Sequence, residues 1–359
     1  MGAPENSATP RRRRRGRWVL PAVGAGVVVL VVLTAVVGLT VLHGRARPQG
    51  SRSALPLRVV GDMALPGDNS RFDYASLDPG KGLLFIAHLG AGEVVEVDVH
   101  RHQVVRTIGN IPQVHGVLVV PGLHRVYATA TGANSMVILN EDTAEQLGHA
   151  PTGDYPDGLA YDPHRAAIWT TNETGGSETV IDANTGAPRG TVALGGDAGN
   201  VVYDPTADQM VVAVQGKNEL ALINPTTLVV TNTVALPGCD HSHGLALDPD
   251  DRLAFVACDG NAALLTVDLG SAQVISTNPV GDGPDVLAYD VGAHRLYVAA
   301  ESGWVTILDL HDHQLAVTGN DHLADGAHVV AVDPNSHHSY FPVPAATGGH
   351  PALLERQPI

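Results

Sequence analysis

One short segment recurs at a nearly constant interval along the chain and restricts the fold more than any other feature. Its clearest copies are Gly-Leu-Ala-Tyr-Asp-Pro at residues 158–163 and Gly-Leu-Ala-Leu-Asp-Pro at residues 244–249. Weaker copies carry Asp at the same point, or Val in one case. We call this residue of each repeat its anchor position, and the seven anchor positions are 78, 120, 162, 204, 248, 290 and 333. Seven repeats of 42–44 residues are typical of a β-propeller, in which each repeat forms one four-stranded blade.

The segments between the anchors indicate strands and tight turns only. The chain has 40 Gly and 24 Pro, only 16% of its residues are charged, and only 4% are aromatic, so the core must be mainly aliphatic. No window keeps a 3.6-residue apolar period for a dozen residues, which excludes a stack of helical repeats. The sequence therefore predicts an all-β protein whose residues 57–357 form a seven-bladed β-propeller.

The two ends of the repeat region indicate how the ring closes. Ala-Leu-Pro-Gly at residues 64–67 matches Ala-Leu-Pro-Gly at residues 235–238, which end a fourth, outer strand. Residues 57–65 therefore form an outer strand with no inner strands before it, whereas the last repeat has three strands, ending near 352–355, and lacks an outer one. We expect the N-terminal strand to complete the last blade, because this pairing removes two open sheet edges.

The N-terminal segment predicts a membrane anchor. Residues 19–42 carry no charge, and at ~1.5 Å per residue a helix of this length crosses a ~30 Å hydrocarbon core. An Arg cluster at residues 11–17 precedes it, which by the positive-inside rule places the tail (1–17) in the cytoplasm. We expect a single-pass transmembrane helix at 18–42, a linker at 43–56 and an extracytoplasmic propeller; the alternative is a cleaved signal peptide.

The charge distribution excludes one class of partner. Nine of the 21 Lys and Arg residues precede residue 53, whereas the rest of the chain has a net charge of −24. Such a surface repels phosphate backbones, so we expect no nucleic-acid binding.

The second strand and the loop after it carry a recognisable pattern. It reads Tyr-Ala-Thr-Ala-Thr-Gly-Ala-Asn at residues 127–134, Trp-Thr-Thr-Asn at 169–172 and Phe-Val-Ala-Cys-Asp-Gly-Asn at 255–261. With the Asp-Pro anchors, this pattern resembles the YVTN-repeat family of bacterial β-propellers over about residues 57–357. The resemblance implies an extracytoplasmic propeller and specifies no activity.

The sharpest chemical signal lies five residues before each anchor, where the innermost strand of each blade begins. We call these seven positions the mouth ring: Asp73, His115, Asp157, Gly199, His243, Asp285 and His328. Imidazoles and carboxylates that converge on a channel can hold a divalent metal ion, the cofactor that this ring predicts. Four further Asp residues lie three positions before ring members and were expected on the same face: Asp154, Asp240, Asp282 and Asp325.

Two functional hypotheses follow from the mouth ring. The first is a binding or scaffold module whose channel mouth holds a cation or small polar ligand, with His88 as a further ligand contact. The second is a metal-dependent hydrolase or lyase, analogous to lactonase and streptogramin-lyase propellers, with His115, His243 or His328 as the base. Both remain open beside a simpler reading, in which the ring is only the polar lining of a water-filled channel.

The two cysteines lie in one blade. Pairing of adjacent strands about a turn near residues 249–251 brings Cys258 opposite His243, with Cys239 close by. A disulfide between Cys239 and Cys258 is the simplest prediction for an exported protein. The alternative is a soft metal site of Cys and His ligands, such as a copper site.

Overall fold

The computed structural model of the protein describes residues 50–359, and these form seven four-stranded antiparallel sheets arranged as blades. In chain order the strands are β1 Leu57–Ala64, β2 Ala75–Asp78, β3 Leu83–His88, β4 Glu93–Asp98, β5 Gln103–Ile108, β6 Val114–Val120, β7 Arg125–Ala130, β8 Ser135–Asn140, β9 Gln146–Pro151, β10 Pro156–Asp162, β11 Ala167–Asn172, β12 Ser177–Asp182, β13 Pro188–Ala193, β14 Ala198–Asp204, β15 Gln209–Val214, β16 Glu219–Asn224, β17 Val229–Ala235, β18 Ser242–Asp248, β19 Leu253–Cys258, β20 Ala263–Asp268, β21 Gln273–Pro279, β22 Pro284–Asp290, β23 Arg295–Ala300, β24 Trp304–His311, β25 Gln314–His322, β26 Ala331–Val332, β27 Ser339–Val343 and β28 Ala352–Pro358. The predicted seven-bladed propeller is confirmed.

Helical structure in the described part of the chain is limited to single 3-10 turns. They are Leu89–Ala91, Pro121–Leu123, Thr131–Ala133, Gln215–Lys217 and Asp259–Asn261. Within residues 50–359 no helix is long and apolar enough to cross a membrane. The predicted tail (1–17), anchor (18–42) and first part of the linker lie outside the described residues. We number the blades in chain order from blade 1 (β2–β5) to blade 7 (β26–β28 with β1). The rest of the linker runs beside blade 6 (β22–β25), where Ser53 and Asn320 exchange two backbone hydrogen bonds of 2.9 Å.

Ring closure occurs as the sequence predicts. Strand β1 pairs with β28 in an antiparallel register from Leu57 opposite Pro358 to Ala64 opposite Ala352, and the seventh sheet has the order β1-β28-β27-β26. The first and last strands of the propeller are thus neighbours, and β28 is not left as an open edge.

The repeated Asp ends the first strand of its blade and organises the turn that follows. The Oδ1 atom of Asp78 accepts the backbone N–H of Gly80 at 2.8 Å, and Oδ1 of Asp162 accepts that of Arg165 at 3.1 Å. Asp is favoured here because its short side chain satisfies turn N–H groups that have no strand partner.

The core lies between the faces of adjacent blades and is mainly aliphatic. Trp169 of blade 3 is fully buried and packs in one cluster with Met210 and Val212 of blade 4. Blades 4 and 5 meet through Val211, Val256 and their neighbours. Each blade therefore depends on both neighbours for burial of its faces.

The closing strand can be tested by truncation. A chain that begins at Leu65 lacks β1, whereas a matched chain that begins at Leu55 keeps it. We expect the shorter chain to melt roughly 10 °C lower or more and to form oligomers, because β28 then exposes an unpaired edge. Differential scanning calorimetry and size-exclusion chromatography compare the two chains. Equal melting temperatures and monomeric elution of both chains would show that ring closure contributes nothing to stability or to protection of the β28 edge.

Candidate functional site

The mouth ring occupies a backbone irregularity that recurs in the first strands. The register of β6 against β7 shifts between Val114 and Val117, and β10, β14, β18 and β22 show the same shift. The ring residues of these strands lie inside the bulge, which turns a side chain away from the normal alternation. Four of them line one cavity of about 410 Å³, together with Asp73, which lies in the loop before β2. The four are His115, Asp157, His243 and Asp285.

Glycine follows the ring residue where adjacent blades approach most closely. A Cβ atom on Gly116 would lie 2.2 Å from the carbonyl oxygen of Asp157, and one on Gly244 would lie 2.0 Å from that of Asp285. Any larger residue would push the blades apart at the mouth. The His-Gly and Asp-Gly pairs in the sequence were a signal for this contact that the sequence analysis did not use.

Three ring members come together as a group of potential metal ligands. One ligand atom each of Asp73, Asp285 and His328 lie within 4.8 Å of one another, and all three residues are buried. Both ring nitrogens of His328 lack a hydrogen-bond partner, and the residue is only 2% exposed. The nearest carboxylate recorded for its Nδ1 is Glu301 Oε2, at 3.7 Å.

His243 and Asp285 form a buried pair. The Nε2 atom of His243 lies 3.2 Å from Asp285 Oδ1, and its Nδ1 lies 3.0 Å from the Gln215 amide nitrogen. The same amide nitrogen donates to the carbonyl oxygen of Ala198 at 2.8 Å and lies 3.4 Å from Glu173 Oε1.

Burial and mutual charge shift the pKa values of this group in opposite directions. Burial lowers the pKa of His243, but the hydrogen bond and charge of Asp285 outweigh burial and raise it to about 10. Burial raises the pKa of Asp285, but the hydrogen bond from His243 outweighs it and lowers the pKa to about 2. Burial, together with the carboxylates of Asp157 and Asp285, raises the pKa of Asp73 well above its usual range. The pair is therefore ionic at neutral pH, whereas Asp73 keeps its proton to a higher pH than an ordinary carboxyl group.

Arg71 is a member of the site that sequence reasoning missed. Its Nη2 atom lies 3.4 Å from Asp285 Oδ2 and 3.7 Å from Asp73 Oδ1, and its Nη1 contacts Glu301. Burial lowers the pKa of Arg71, but the three carboxylates raise it above its ordinary value. The available signal was its position two residues before Asp73, because alternate residues of an extended segment share a face.

The equivalent positions of other blades hold further residues missed from the sequence. Gln113, Tyr155 and His241 each precede a ring member by two residues, line the cavity and have positive φ angles of 51°, 60° and 62°. Glu173 lines the same cavity from the loop after β11. None of the four expected second-tier residues lines it: Asp154, Asp240, Asp282 and Asp325. They lie in the loops before the first strands, where residues such as Tyr155 and His241 have positive φ, so the spacing of three does not keep a common face.

His115 is held in one tautomer. Its Nδ1 lies 2.9 Å from the carbonyl oxygen of Gln113, so Nδ1–H is the donor and Nε2 carries the lone pair. Nε2 lies 3.1 Å from the Tyr155 hydroxyl and 3.8 Å from Asp73 Oδ2. Burial lowers the pKa of His115, which keeps the imidazole neutral at pH 7.

His88 does not line the cavity. It is fully buried and stacks on Phe72 with ring centroids 4.2 Å apart. Its Nε2 lies 3.1 Å from Ser70 Oγ, and its Nδ1 lies 3.3 Å from Glu93 Oε1. The contacts with Phe72 and Ser70 tie the end of β3 to the loop before β2.

The predicted disulfide between Cys239 and Cys258 is present, with Cα atoms 5.3 Å apart. The alternative of a Cys/His copper site is wrong, because both sulfur atoms are consumed by the bond. The predicted register is also wrong: Ser242, not His243, lies opposite Cys258. The bulge between Ser242 and Leu245 shifts the pairing by one residue.

A second group of ligand-type residues lies on the opposite face of the ring, at His124, Glu141 and Asp142. The ammonium group of Lys81 already lies among them, 3.0 Å from Glu141 Oε2 and 2.6 Å from Asp142 Oδ1. A side chain of the protein therefore supplies the cation there.

Comparison with known proteins supports the fold and leaves the family open. No family model and no curated protein sequence matches the chain. Among solved structures, Kuenenia stuttgartiensis hydrazine synthase is 14% identical with a TM-score of 0.70, covering 85% of this chain and 97% of its own. Virginiamycin B lyase from Staphylococcus aureus is 11% identical with a TM-score of 0.70, covering 84% of this chain and 100% of its own. The RRP9 WD40 repeats are 9% identical with a TM-score of 0.72, covering 84% of this chain and 99% of their own. At these identities the likeness shows the propeller fold alone.

The electrostatics of the mouth predict a pH-dependent stability. Burial raises the pKa of Asp157 from 3.8 to about 6, with opposing contributions from His243 and Asp285. The folded state then binds this proton more tightly than the unfolded state, so stability rises as pH falls through 6. Relative to Asp157→Asn, we expect the wild-type free energy of unfolding to gain about 1 kcal/mol between pH 7.5 and pH 5. Urea unfolding with a chelator present measures this; a pH-independent difference between the two proteins would contradict it.

The disulfide closes a short loop, since its cysteines are 19 residues apart. We expect Cys239→Ala/Cys258→Ala to lower the free energy of unfolding by about 2–4 kcal/mol. A reductant should bring the wild-type melting temperature down to that of the variant and leave the variant unchanged. A wild-type protein that melts identically with and without reductant would contradict the prediction.

Proposed function

We propose that the protein is an anchored, extracytoplasmic binding module whose channel mouth holds a divalent cation through Asp73, Asp285 and His328. The observation that carries the proposal is the state of His328, a buried imidazole with no partner at either nitrogen. A buried polar group without a partner costs about 1–3 kcal/mol, and a bound cation would remove that cost.

The distances suit one ion. A cation about 2.0–2.4 Å from each donor atom brings the donor atoms within about 4.8 Å of one another, the limit that these three residues meet. A set of one imidazole and two carboxylates fits Zn²⁺, Mn²⁺ or a similar divalent ion. His243 is not counted as a ligand, because it is already paired with Asp285. Asp157 is not counted either, because among the described residues it belongs to no group of three ligand atoms close enough for one ion.

Two features set the affinity for the ion. Asp73 must lose its proton to act as a ligand, so binding strengthens as pH rises. Arg71 must move from Asp73 and Asp285 towards Glu301, its third partner. Arg71→Gln, which removes this competing cation, is expected to tighten binding of the ion.

Anchoring and location belong to the same proposal. The uncharged run at residues 19–42 and the Arg cluster before it support a single-pass anchor with the propeller outside. The disulfide fits an oxidising compartment. Membership of the YVTN-repeat family, supported by the repeat pattern and the propeller fold, is proposed on the same basis.

A second function, a metal-dependent hydrolase or lyase, is favoured by His115. Its neutral imidazole directs an unprotonated Nε2 towards Asp73 and Tyr155, as a general base beside a metal ion would. Three protein ligands also leave coordination positions open for water or substrate. Virginiamycin B lyase, whose fold is similar, is an enzyme on this scaffold.

An activity screen distinguishes the two functions. Metal-dependent turnover in a panel of esters, lactones and cyclic depsipeptides, lost in His115→Ala while the ion is retained, would identify the protein as an enzyme. A metal-loaded protein with no turnover would support the binding module instead.

Metal content tests the cation site directly. We expect about one divalent ion per full-length protein purified without a nickel column, measured by plasma mass spectrometry. His328→Ala should lose at least about 90% of it, because one of three ligands is removed. The matched control His350→Ala replaces an exposed histidine of the same face and should keep the ion.

Two results would overturn the proposal. One is a protein without a stoichiometric ion whose melting temperature is unchanged by added Zn²⁺, Mn²⁺ or chelator. The other is an equal metal content in His328→Ala and the wild type.

A further inference from the structure

The face that carries the cavity is poor in positive charge. The loops of this face between residues 65 and 351 contain two Lys or Arg side chains, Arg71 and Lys217, against ten Asp and Glu. Arg71 is paired with Asp285 and Glu301, and Lys217 donates to the carbonyl oxygen of Leu194 at 2.6 Å. Among the described residues that line the cavity, Arg71 is the sole Lys or Arg. The field at the mouth therefore attracts cations.

Asp157 has an unused acceptor in this field. It is 3% exposed, it lines the cavity, and its Oδ1 atom accepts no hydrogen bond. Asp157 belongs to blade 3, across the seven-membered ring from blades 6, 7 and 1, which supply Asp285, His328 and Asp73. Arg71 pairs with residues of that other side, so it does not supply the missing donor.

Glu173 and Tyr155 lie on the same wall as Asp157. The backbone N–H of Glu173 donates to the carbonyl oxygen of Tyr155 at 2.8 Å, two residues before Asp157, and all three residues line the cavity. Burial and then the carboxylate of Asp157 raise the pKa of Glu173. Burial, and then the carboxylates of Glu173 and Asp157, raise the pKa of Tyr155. The Tyr155 hydroxyl lies 3.1 Å from His115 Nε2, and the two rings make an edge contact with centroids 5.1 Å apart, which fixes the position of the aromatic ring.

This wall suits an organic ammonium ion better than a metal ion. In the described part of the chain, neither Asp157 nor Glu173 belongs to a group of three ligand atoms close enough for one metal. An ammonium group has three N–H donors, forms its bonds at about 2.7–2.9 Å from carboxylates, and is attracted by an aromatic face. The cavity of about 410 Å³ has the size of a small-molecule site.

We propose that Asp157, Glu173 and Tyr155 form a subsite for the primary ammonium group of a small organic amine. This amine site shares the cavity with the proposed metal site but none of its ligands, so either can exist without the other. The amine donates to Asp157 Oδ1 and to the Glu173 carboxylate, and its methylene chain runs from the Tyr155 ring towards the open mouth.

Calorimetric titration of the full-length protein with butane-1,4-diamine at pH 8 tests the site. The buffer contains a chelator, so the result does not depend on the metal. We expect saturable binding of the diamine and none of butane-1,4-diol, which has the same chain without charge. Asp157→Asn and Glu173→Gln should each weaken binding about tenfold or more, because each removes a charge-assisted hydrogen bond.

Asp154→Asn is the matched control for the overall negative charge of the mouth face. Asp154 is an exposed acid three residues before Asp157, and its Oδ1 accepts a hydrogen bond from Asn134. We expect its removal to change affinity less than about twofold, since an exposed charge is screened by solvent. Equal weakening by Asp154→Asn and Asp157→Asn would overturn the proposal. So would equal binding of the diol, or no binding of the diamine at millimolar concentration to protein that melts normally.

Discussion

The hydrogen-bonded pairing of β1 with β28 is the constraint on which the other features depend. It joins the two ends of the propeller and completes the seventh sheet, so the ring contains seven blades and no open position. Each first strand must then begin at the mouth, at the same level as its neighbours. Side chains from residues as distant in sequence as Asp73 and His328 meet only because the ring is closed.

Within the closed ring, a bulge in the first strand converts a repeated position into a binding surface. A regular strand would direct alternate side chains into the two adjacent blade interfaces, whereas the bulge turns one side chain towards the channel. Close approach of the blades at this level requires glycine after His115 and His243, where a Cβ atom would collide with the backbone of the next blade. The mouth therefore combines a tightly packed backbone with side chains that have few partners.

Polar residues at the mouth face serve two separate purposes. The last residue of the second strand ties that strand to the loop leading into its blade: His88 contacts Ser70, Asn172 accepts the N–H of Gly153, and Cys258 is bonded to Cys239. Three different chemistries perform this structural role at one repeat position. Asp157 Oδ1 and both ring nitrogens of His328, in contrast, have no hydrogen-bond partner, whereas Nε2 of His88 is bonded to Ser70. His328 and Asp157 therefore indicate ligands and His88 does not.

The sequence by itself determined the blade number, the closing strand, the disulfide partners and the level of the mouth ring. These follow from a period of 42–44 residues and from local turn chemistry, which neighbouring residues encode. Only the tertiary structure decided which ring members meet, because that depends on the bulges and on the order of blades around the axis. It also placed Arg71 between Asp73 and Asp285 and brought Glu173 to the cavity, and it put Ser242 opposite Cys258. A one-residue shift of register reverses the direction of a side chain while leaving the repeat unchanged, so periodicity alone could not reveal it.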